Sequence, residues 1–382
     1  MGKTAVKKLG LVINPIAGLG GKVGLKGSDG LPIQTRALEL GAIPEAGKRA
    51  AQALIALRPI QDRFELLTYP AEMGADAARE HGFSPTVIGA IQEGATSARD
   101  TQKAAQEMLA EGADLLLFAG GDGTARDIFQ AVGEHLPVLG IPAGVKIHSA
   151  VFAVNPRSAG ELALSYLEGK TSSLRLAEVM DLDEEAYRQG IISPRLYGYL
   201  QVPYVRKLLQ SFKLPSSPSD SASLRAIARE IIDHLEPDCI YVIGPGTTTR
   251  AIIDRLGLDK SLIGVDVLLN RRVIASDANE AQLLRFLEGR QARIIVTPIG
   301  GQGYLFGRGN QQISARVLRG VLASNDQAKE YIIVVSTPAK IESLQGRPLL
   351  VDTGDPGVDR CLSGYIRVVT GYREEIIYRV MV

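Results

Sequence analysis

Hydrophobic and polar positions in the first 170 residues alternate between two textures. Short apolar runs stand at LGLVIN (9–14), RFELLTY (63–69), PTVIGA (85–90), ADLLLFAG (113–120) and PVLGIP (137–142). Most are separated by stretches with apolar residues at helical spacing, clearest in EAGKRAAQALIAL (45–57) and SARDTQKAAQEMLAEG (97–112). Strands alternating with helices imply βαβ units around a parallel sheet. Residues 1–170 therefore predict a doubly wound α/β domain. In such sheets ligands bind beyond the carboxyl ends of the strands, where the glycine-rich turns after Ile13 and Phe118 fall.

From about Ser172 the texture changes. SLRLAEVMDLDEEAYR and RLYGYLQVPYV read as extended, antiparallel segments rich in tyrosine and valine. A polar stretch, KLPSSPSDSAS (213–223), predicts an exposed linker. Alternation then resumes with strand CIYVIGPG (239–246), helix TTTRAIIDRLGL, strand SLIGVDVLL, helix NEAQLLRFLEG, strand ARIIVTPIG (292–300) and strand YIIVVSTPAK (331–340). The end, GYIRVVTGYREEIIYRVMV, predicts two strands joined by a turn. Residues 171–382 thus read as a mixed domain, antiparallel strands bracketing an α/β insert. No tandem repeat is visible.

Composition narrows the partners. A chain of 382 residues is too long for one ordinary core, in line with two domains. With 43 basic and 42 acidic residues, the formal charge of +1 supplies no field to recruit nucleic acid or an anionic membrane, so any phosphate binding must be local. The N-terminal lysines precede only LGLVI before Asn14 and Pro15, shorter than a secretory core. No run approaches the ~20 apolar residues of a membrane span, so a soluble cytoplasmic protein is expected. Cys239 and Cys361 show no metal spacing and are expected as buried free thiols in a reducing compartment. The four histidines show no metal spacing either.

The sharpest chemistry sits in GGDGT (120–124), at the end of an apolar strand and ahead of TARDIFQAVGEHL, whose Ile128, Phe129 and Val132 share one helical face. Thr124 with Asp127 three residues on predicts a capping box. The glycines allow close backbone approach, and the first N–H groups of a helix attract an anion. Asp122 is then anomalous, since an acid among phosphates is costly unless it holds a metal or takes a proton. A structural turn aspartate is the third reading.

GGDGT after a strand, paired with INPIAGLGG (13–21), resembles the NAD kinase and diacylglycerol kinase superfamily. That resemblance implies nucleotide phosphates bound by both loops and Asp122 as the base on the acceptor hydroxyl. It also implies Gly120, Gly121, Gly123 and Thr124 shaping one loop, and Asn14 and Gly18 the other. PVLGIPAG continues it, over roughly residues 8–170. GVKIHSAVFAVNP, EVMDLDE, YVIGPGTTT, IGGQGYLFGRGNQQIS and VDTGD resemble one branch, the predicted ATP-NAD kinases with the acetoin-operon-associated kinase-like proteins. The implied activity is transfer of the γ-phosphate of ATP, or of polyphosphate, to the 2′-hydroxyl of NAD, with Mg²⁺. Residues 171–382 would then bind the acceptor, and the resemblance leaves room for a homo-oligomer. Pro142 stands where ordinary NAD kinases carry an asparagine, and their acidic Asn-Glu or Asn-Asp pair has no clear counterpart.

Two further loops carry ligand-type residues. GPGTTTRAI (244–252) offers Gly244, Gly246 and Thr247 at a strand-to-helix turn, locally similar to the phosphate loops of sugar-phosphate isomerases. The glycine-rich loop from Gly300 offers Gly301, Gln302, Gly303, Asn310 and Arg308, whose guanidinium suits a phosphate or carboxylate. Both are also readable as plain connections, and neither is a Walker A loop. Glu178, Asp181, Asp183, Asp352 and Asp355 could hold Mg²⁺ or a ribose, or simply form acidic turns. His148 could lie near the nucleotide or serve the core. Besides an NAD kinase, the sequence allows a kinase for another hydroxyl compound and a nucleotide sensor without transfer; no acyl channel is evident for a lipid kinase.

Overall fold

A computed structural model describes residues 6–25, 27, 30–145, 147–171, 173–182, 194–205, 208–209, 221–261, 263–322 and 328–382. Asp183 and residues 213–220 of the expected linker lie outside these. The chain divides into two compact units, residues 1–19 with 27–211, and residues 20–26 with 212–382.

The first unit contains β1 (Lys7–Ile13), α1 (Leu31–Glu39), α2 (Ala46–Leu57), β2 (Phe64–Thr68), α3 (Ala75–Glu80), β3 (Thr86–Val87) and α4 (Ala98–Ala110). It continues through β4 (Leu115–Gly120), α5 (Asp122–Val132), β5 (Val138–Pro142) and α6 (Pro156–Leu167). The five strands form one sheet in the order β3-β2-β1-β4-β5, every pair parallel. This is the α/β domain that the alternation predicts. All six residues of β4 are buried, as its unbroken LLLFAG run requires of a strand covered on both faces. PTVIGA contributes only Thr86 and Val87, because β3 is an edge strand with one neighbour.

Helix ends follow local chemistry. Ser97 and Asp100 form a reciprocal capping box that starts α4, and Thr101, Ala104, Ala105 and Met108 give it a buried stripe at helical spacing. Asn155 caps α6 by accepting the Ser158 N–H at 2.7 Å, with Pro156 at its first turn. The extended segments after residue 173 form an antiparallel pair within this unit, β6 (Leu174–Leu182) and β7 (Pro194–Pro203).

The second unit comprises α7 (Ser221–Asp233), β8 (Ile240–Ile243), α8 (Thr247–Arg255), β9 (Asp266–Leu269), β10 (Arg272–Ala275), α9 (Glu280–Leu287), β11 (Ala292–Val296) and β12 (Tyr304–Phe306). There follow α10 (Ala315–Leu322), β13 (Ile332–Val335), α11 (Pro338–Glu342), β14 (Leu349–Val351), α12 (Pro356–Leu362), β15 (Gly364–Gly371) and β16 (Glu374–Met381). The last three residues of the expected linker, Ser221–Ser223, instead open α7. Nine strands make one mixed sheet, β10-β9-β8-β11-β13-β15-β16-β14-β12, and the C-terminal hairpin is part of it. Its centre, β8, β11, β13 and β15, is parallel; β9 and β10 run antiparallel to their neighbours, and β16 runs antiparallel to β15 but parallel to β14.

Both faces of this centre are covered. Ile240, Val242, Ile294 and Val296 join one core, and Tyr241, Ile243 and Ile295 the other. Cys239 is buried and free as expected, but Cys361 is exposed, because the short α12 turns it outward. No helix among the described residues is long and apolar enough to cross a membrane.

Candidate active site

In the first sheet the chain runs outward from β1 through β2 to β3, then returns to place β4 on the other side of β1. The crevice beyond the carboxyl ends of β1 and β4 is the topological switch point, where an open α/β sheet receives its ligand. Asn14 follows β1 there, Gly120 ends β4, and Gly121–Thr124 follow it. The two loops touch, with Asn14 Nδ2 donating to Thr124 Oγ1 at 2.9 Å and Asn14 N donating to Ala119 O at 2.9 Å.

Two glycines are dictated by close approach. Gly18 has φ +78°, and a Cβ there would collide with the Ala143 carbonyl oxygen. A Cβ on Gly120 would strike the Thr124 side chain. The Gly120 carbonyl accepts the Ala143 and Gly144 N–H groups at 2.9 and 3.0 Å, tying the segment after β5 to the same crevice.

The expected capping box at Thr124 and Asp127 does not form. Helix α5 begins three residues earlier, at Asp122, with Gly121 rather than Thr124 at the N-cap and no side-chain cap. Thr124 instead turns its hydroxyl to Asn14, and Gln102 Nε2 reaches Asp127 Oδ1 at 3.4 Å. No side chain caps the first turn of α5 by a hydrogen bond, and its one acidic residue is Asp122; the backbone N–H groups of such a turn attract negative charge.

Asp122 is the first helical residue and only 7% exposed. Its Oδ2 accepts the His148 backbone N–H at 2.7 Å and lies 3.2 Å from His148 Nδ1, while its Oδ1 accepts the Ser149 N–H at 2.9 Å. The Ser149 hydroxyl donates to Met180 O at 2.8 Å and accepts from Met180 N at 2.9 Å, fastening this segment to β6. Four residues beyond Asp122, Arg126 donates to Asp181 at 2.8 Å. Burial works against its charge, but Asp181 and the Tyr197 hydroxyl outweigh that and raise its pKa. Asp181 is thus engaged in an ion pair.

The second unit has its own cluster at the carboxyl ends of its parallel strands. Gly244 and Gly246 lie between β8 and α8, with Gly246 at the N-cap and Thr247 first in the helix. The Thr249 hydroxyl contacts the Gly244 and Gly246 carbonyls at 2.7 and 3.0 Å. The Lys340 ammonium, from α11 after β13, donates to Thr248 Oγ1 at 3.0 Å and to Thr297 Oγ1, after β11, at 3.1 Å. Gly301 joins this group through Ser343, whose hydroxyl accepts the Gly301 N–H at 3.1 Å and donates to Lys340 O at 2.6 Å. Gln302 and Gly303 turn back onto the Ile299 carbonyl, at 3.2 and 2.7 Å.

Arg308 and Asn310 point elsewhere. Arg308 is 3% exposed and bonds Asp352 at 3.1 Å, and Asn310 Nδ2 donates to Leu305 O at 2.7 Å. Asp355 caps α12 through the Gly357 and Val358 N–H groups and pairs with Arg319. The contacts of His148, Ser149 and Lys340 are not deducible from local spacing, since their partners lie 26, 27 and 92 positions away. The one local signal for Lys340 is Thr-Pro opening a helix after a strand, in STPAK.

Residues 9–171 match the family model of the ATP-NAD kinase N-terminal domain, and residues 237–380 match that of the ATP-NAD kinase C-terminal domain. No curated protein matches the chain. Among solved structures, a Bacillus anthracis str. Sterne protein assigned as a diacylglycerol kinase aligns at 18% identity and a TM-score of 0.25. That alignment covers 48% of this chain and 45% of the other, so the chain spans under half the length of that structure. A conserved domain protein from Vibrio cholerae O1 biovar eltor aligns at 12% identity and a TM-score of 0.25, covering 88% of this chain and 76% of that one. Scores of this size establish no shared fold.

Proposed function

From the premise that the chain belongs to the ATP-NAD kinase family, and so to the ATP-dependent kinases of the NAD kinase type, we propose that it phosphorylates the 2′-hydroxyl of NAD with Asp122 as general base. The observation that supports this most is the setting of Asp122. Its carboxylate sits at the switch point of the first sheet, on the uncapped N-terminus of α5, with its oxygens fixed by the His148 and Ser149 backbone. The helix N-terminus and the glycine loop suit a phosphate chain, and the carboxylate suits the hydroxyl that must meet it.

A ribose hydroxyl is a poor nucleophile, and a carboxylate within hydrogen-bond reach that accepts its proton accelerates attack by ~10²–10⁴. The remaining acceleration comes from positioning and neutralisation of the triphosphate. In this reading Asn14, Gly18, Gly120, Gly121, Gly123 and Thr124 shape the nucleotide loop. Gly244, Gly246 and Thr247, with Lys340, receive an anionic group in the second unit, and Gly301, Gln302 and Gly303 support them. Among the described residues no three His, Cys, Asp or Glu side chains stand together to hold a metal ion. In this reading Mg²⁺ would come bound to the triphosphate and supply charge neutralisation there. A cytoplasmic location belongs to the same proposal.

The test is phosphoryl transfer from ATP with Mg²⁺ to a panel of NAD, NADH, nucleosides and small diols. NADP formation supports the proposal, transfer to another member keeps the kinase and replaces the acceptor, and no turnover on any member refutes it. One observation favours a second reading: the same backbone bonds would brace a loop in a nucleotide sensor. ATP binding without transfer, indifferent to Asp122→Asn, is its signature.

A further inference from the structure

A carboxylate offers two oxygens and about four lone-pair directions. On Asp122, Oδ2 faces two groups of one residue, accepting the His148 backbone N–H at 2.7 Å and lying 3.2 Å from the ring Nδ1, which donates to it in the Nδ1–H tautomer. Oδ1 meets one donor among the described residues, the Ser149 N–H at 2.9 Å. The backbone part of this grip is held by Ser149, whose hydroxyl bonds both polar groups of Met180 in β6. The carboxylate torsion of an aspartate is otherwise broad, and a third contact adds to the two backbone bonds that hold it here. That contact is the His148 ring, itself 5% exposed.

We propose that His148 is a positioning residue for phosphoryl transfer: its Nδ1–H closes the second direction on Asp122 Oδ2 and leaves Oδ1 as the open acceptor for the substrate hydroxyl. The role rests on the kinase reading above. It gives an otherwise unused buried histidine a defined task and fixes which oxygen takes the proton. In the step itself, the hydroxyl oxygen forms its bond to the γ-phosphorus as the bond to the bridging oxygen of ADP breaks. The hydroxyl proton passes to Asp122 Oδ1, and His148 keeps its own proton throughout.

Two substitutions separate positioning from packing. His148→Phe keeps the ring and removes the donor, whereas His148→Asn keeps a side-chain N–H and removes ring volume. Positioning predicts that the Phe variant loses roughly 10–100-fold in kcat with KM little changed, while the Asn variant stays within about fivefold of the parent. The opposite order, Phe active and Asn impaired, would overturn the proposal.

A second measurement needs no turnover. In ¹⁵N-histidine NMR of the full unliganded chain, with His148 identified by its loss in His148→Asn, the Nδ1 position should carry a proton. It should shift toward the Nε2–H form in Asp122→Ala. An unprotonated Nδ1, or a ring indifferent to Asp122→Ala, refutes the pairing. If the parent protein transfers phosphate to no acceptor, the kinase reading and the catalytic role fall together, and the spectrum still decides the Asp–His contact.

Discussion

Replacing Gly18 by alanine tests whether the crossing of the loops after β1 and β5 is as tight as described. Two glycines of the first unit share nearly the same backbone, Gly18 at φ +78° and Gly41 at φ +81°. Their surroundings differ, since a Cβ on Gly41 meets nothing within 4 Å while one on Gly18 collides with the Ala143 carbonyl. Gly41→Ala thus carries only the strain of a left-handed alanine, about 1 kcal/mol net after the gain from a less flexible unfolded chain. Gly18→Ala adds the displacement of a carbonyl in a packed crevice, about 1–3 kcal/mol by the standard of overpacked cores.

The assay is hydrogen exchange of the buried β4 amides, which reads the first unit by itself. The Gly41 variant should speed exchange about fivefold and the Gly18 variant roughly 30- to 800-fold, one decade per ~1.4 kcal/mol. Because unfolded-state effects are shared, the ratio between the variants isolates the collision. Equal acceleration in both would refute the tight crossing, and with it the idea that Gly18 is needed at this site for more than its φ.

Other outcomes follow from the same geometry. Lys340→Ala leaves the Thr248 and Thr297 hydroxyls without their cationic donor, and should raise KM for the anionic ligand of the second unit about 10-fold or more with a smaller change in kcat; unchanged steady-state constants would remove Lys340 from the site. Arg308→Met leaves Asp352 buried without its guanidinium and should destabilise by about 3–5 kcal/mol in urea unfolding, with Arg308→Met/Asp352→Leu recovering part of the loss. Asp355 has its pKa lowered, first by the Val358 N–H, then, against a burial penalty, by the Gly357 N–H and Arg319. Its stabilising contribution is therefore full above the ordinary aspartate pKa and lost as pH falls through the lowered folded value. Asp355→Ala should cost about 1 kcal/mol near neutrality, and that difference should shrink in strong acid; a difference independent of pH would contradict the part played by the carboxylate's charge.

What could be read from the sequence was local. The strands of the first sheet announce themselves as apolar runs because they are buried on both faces, and GGDGT carries its turn in its own glycines. The expected capping box failed because Thr124 had a better use, as partner to an asparagine 110 positions away. Arg308, written in a glycine-rich loop, reads as a ligand clamp until the fold brings Asp352 to it from 44 positions on. His148 and Lys340 acquire their contacts only when three or more strand ends converge. Cys361 misled because it sits on the exposed side of a seven-residue helix, a placement its neighbours in sequence do not announce.

The most direct test of the central claim compares the parent protein with Asp122→Asn, measuring phosphoryl transfer and ATP binding on the same samples. Transfer should fall by ~10²–10⁴ while ATP binding changes only a few-fold, since the carboxylate serves the hydroxyl and the α5 N-terminus serves the phosphates. Transfer within tenfold of the parent would contradict it, and would leave Asp122 as a brace between α5 and the segment at His148 and Ser149.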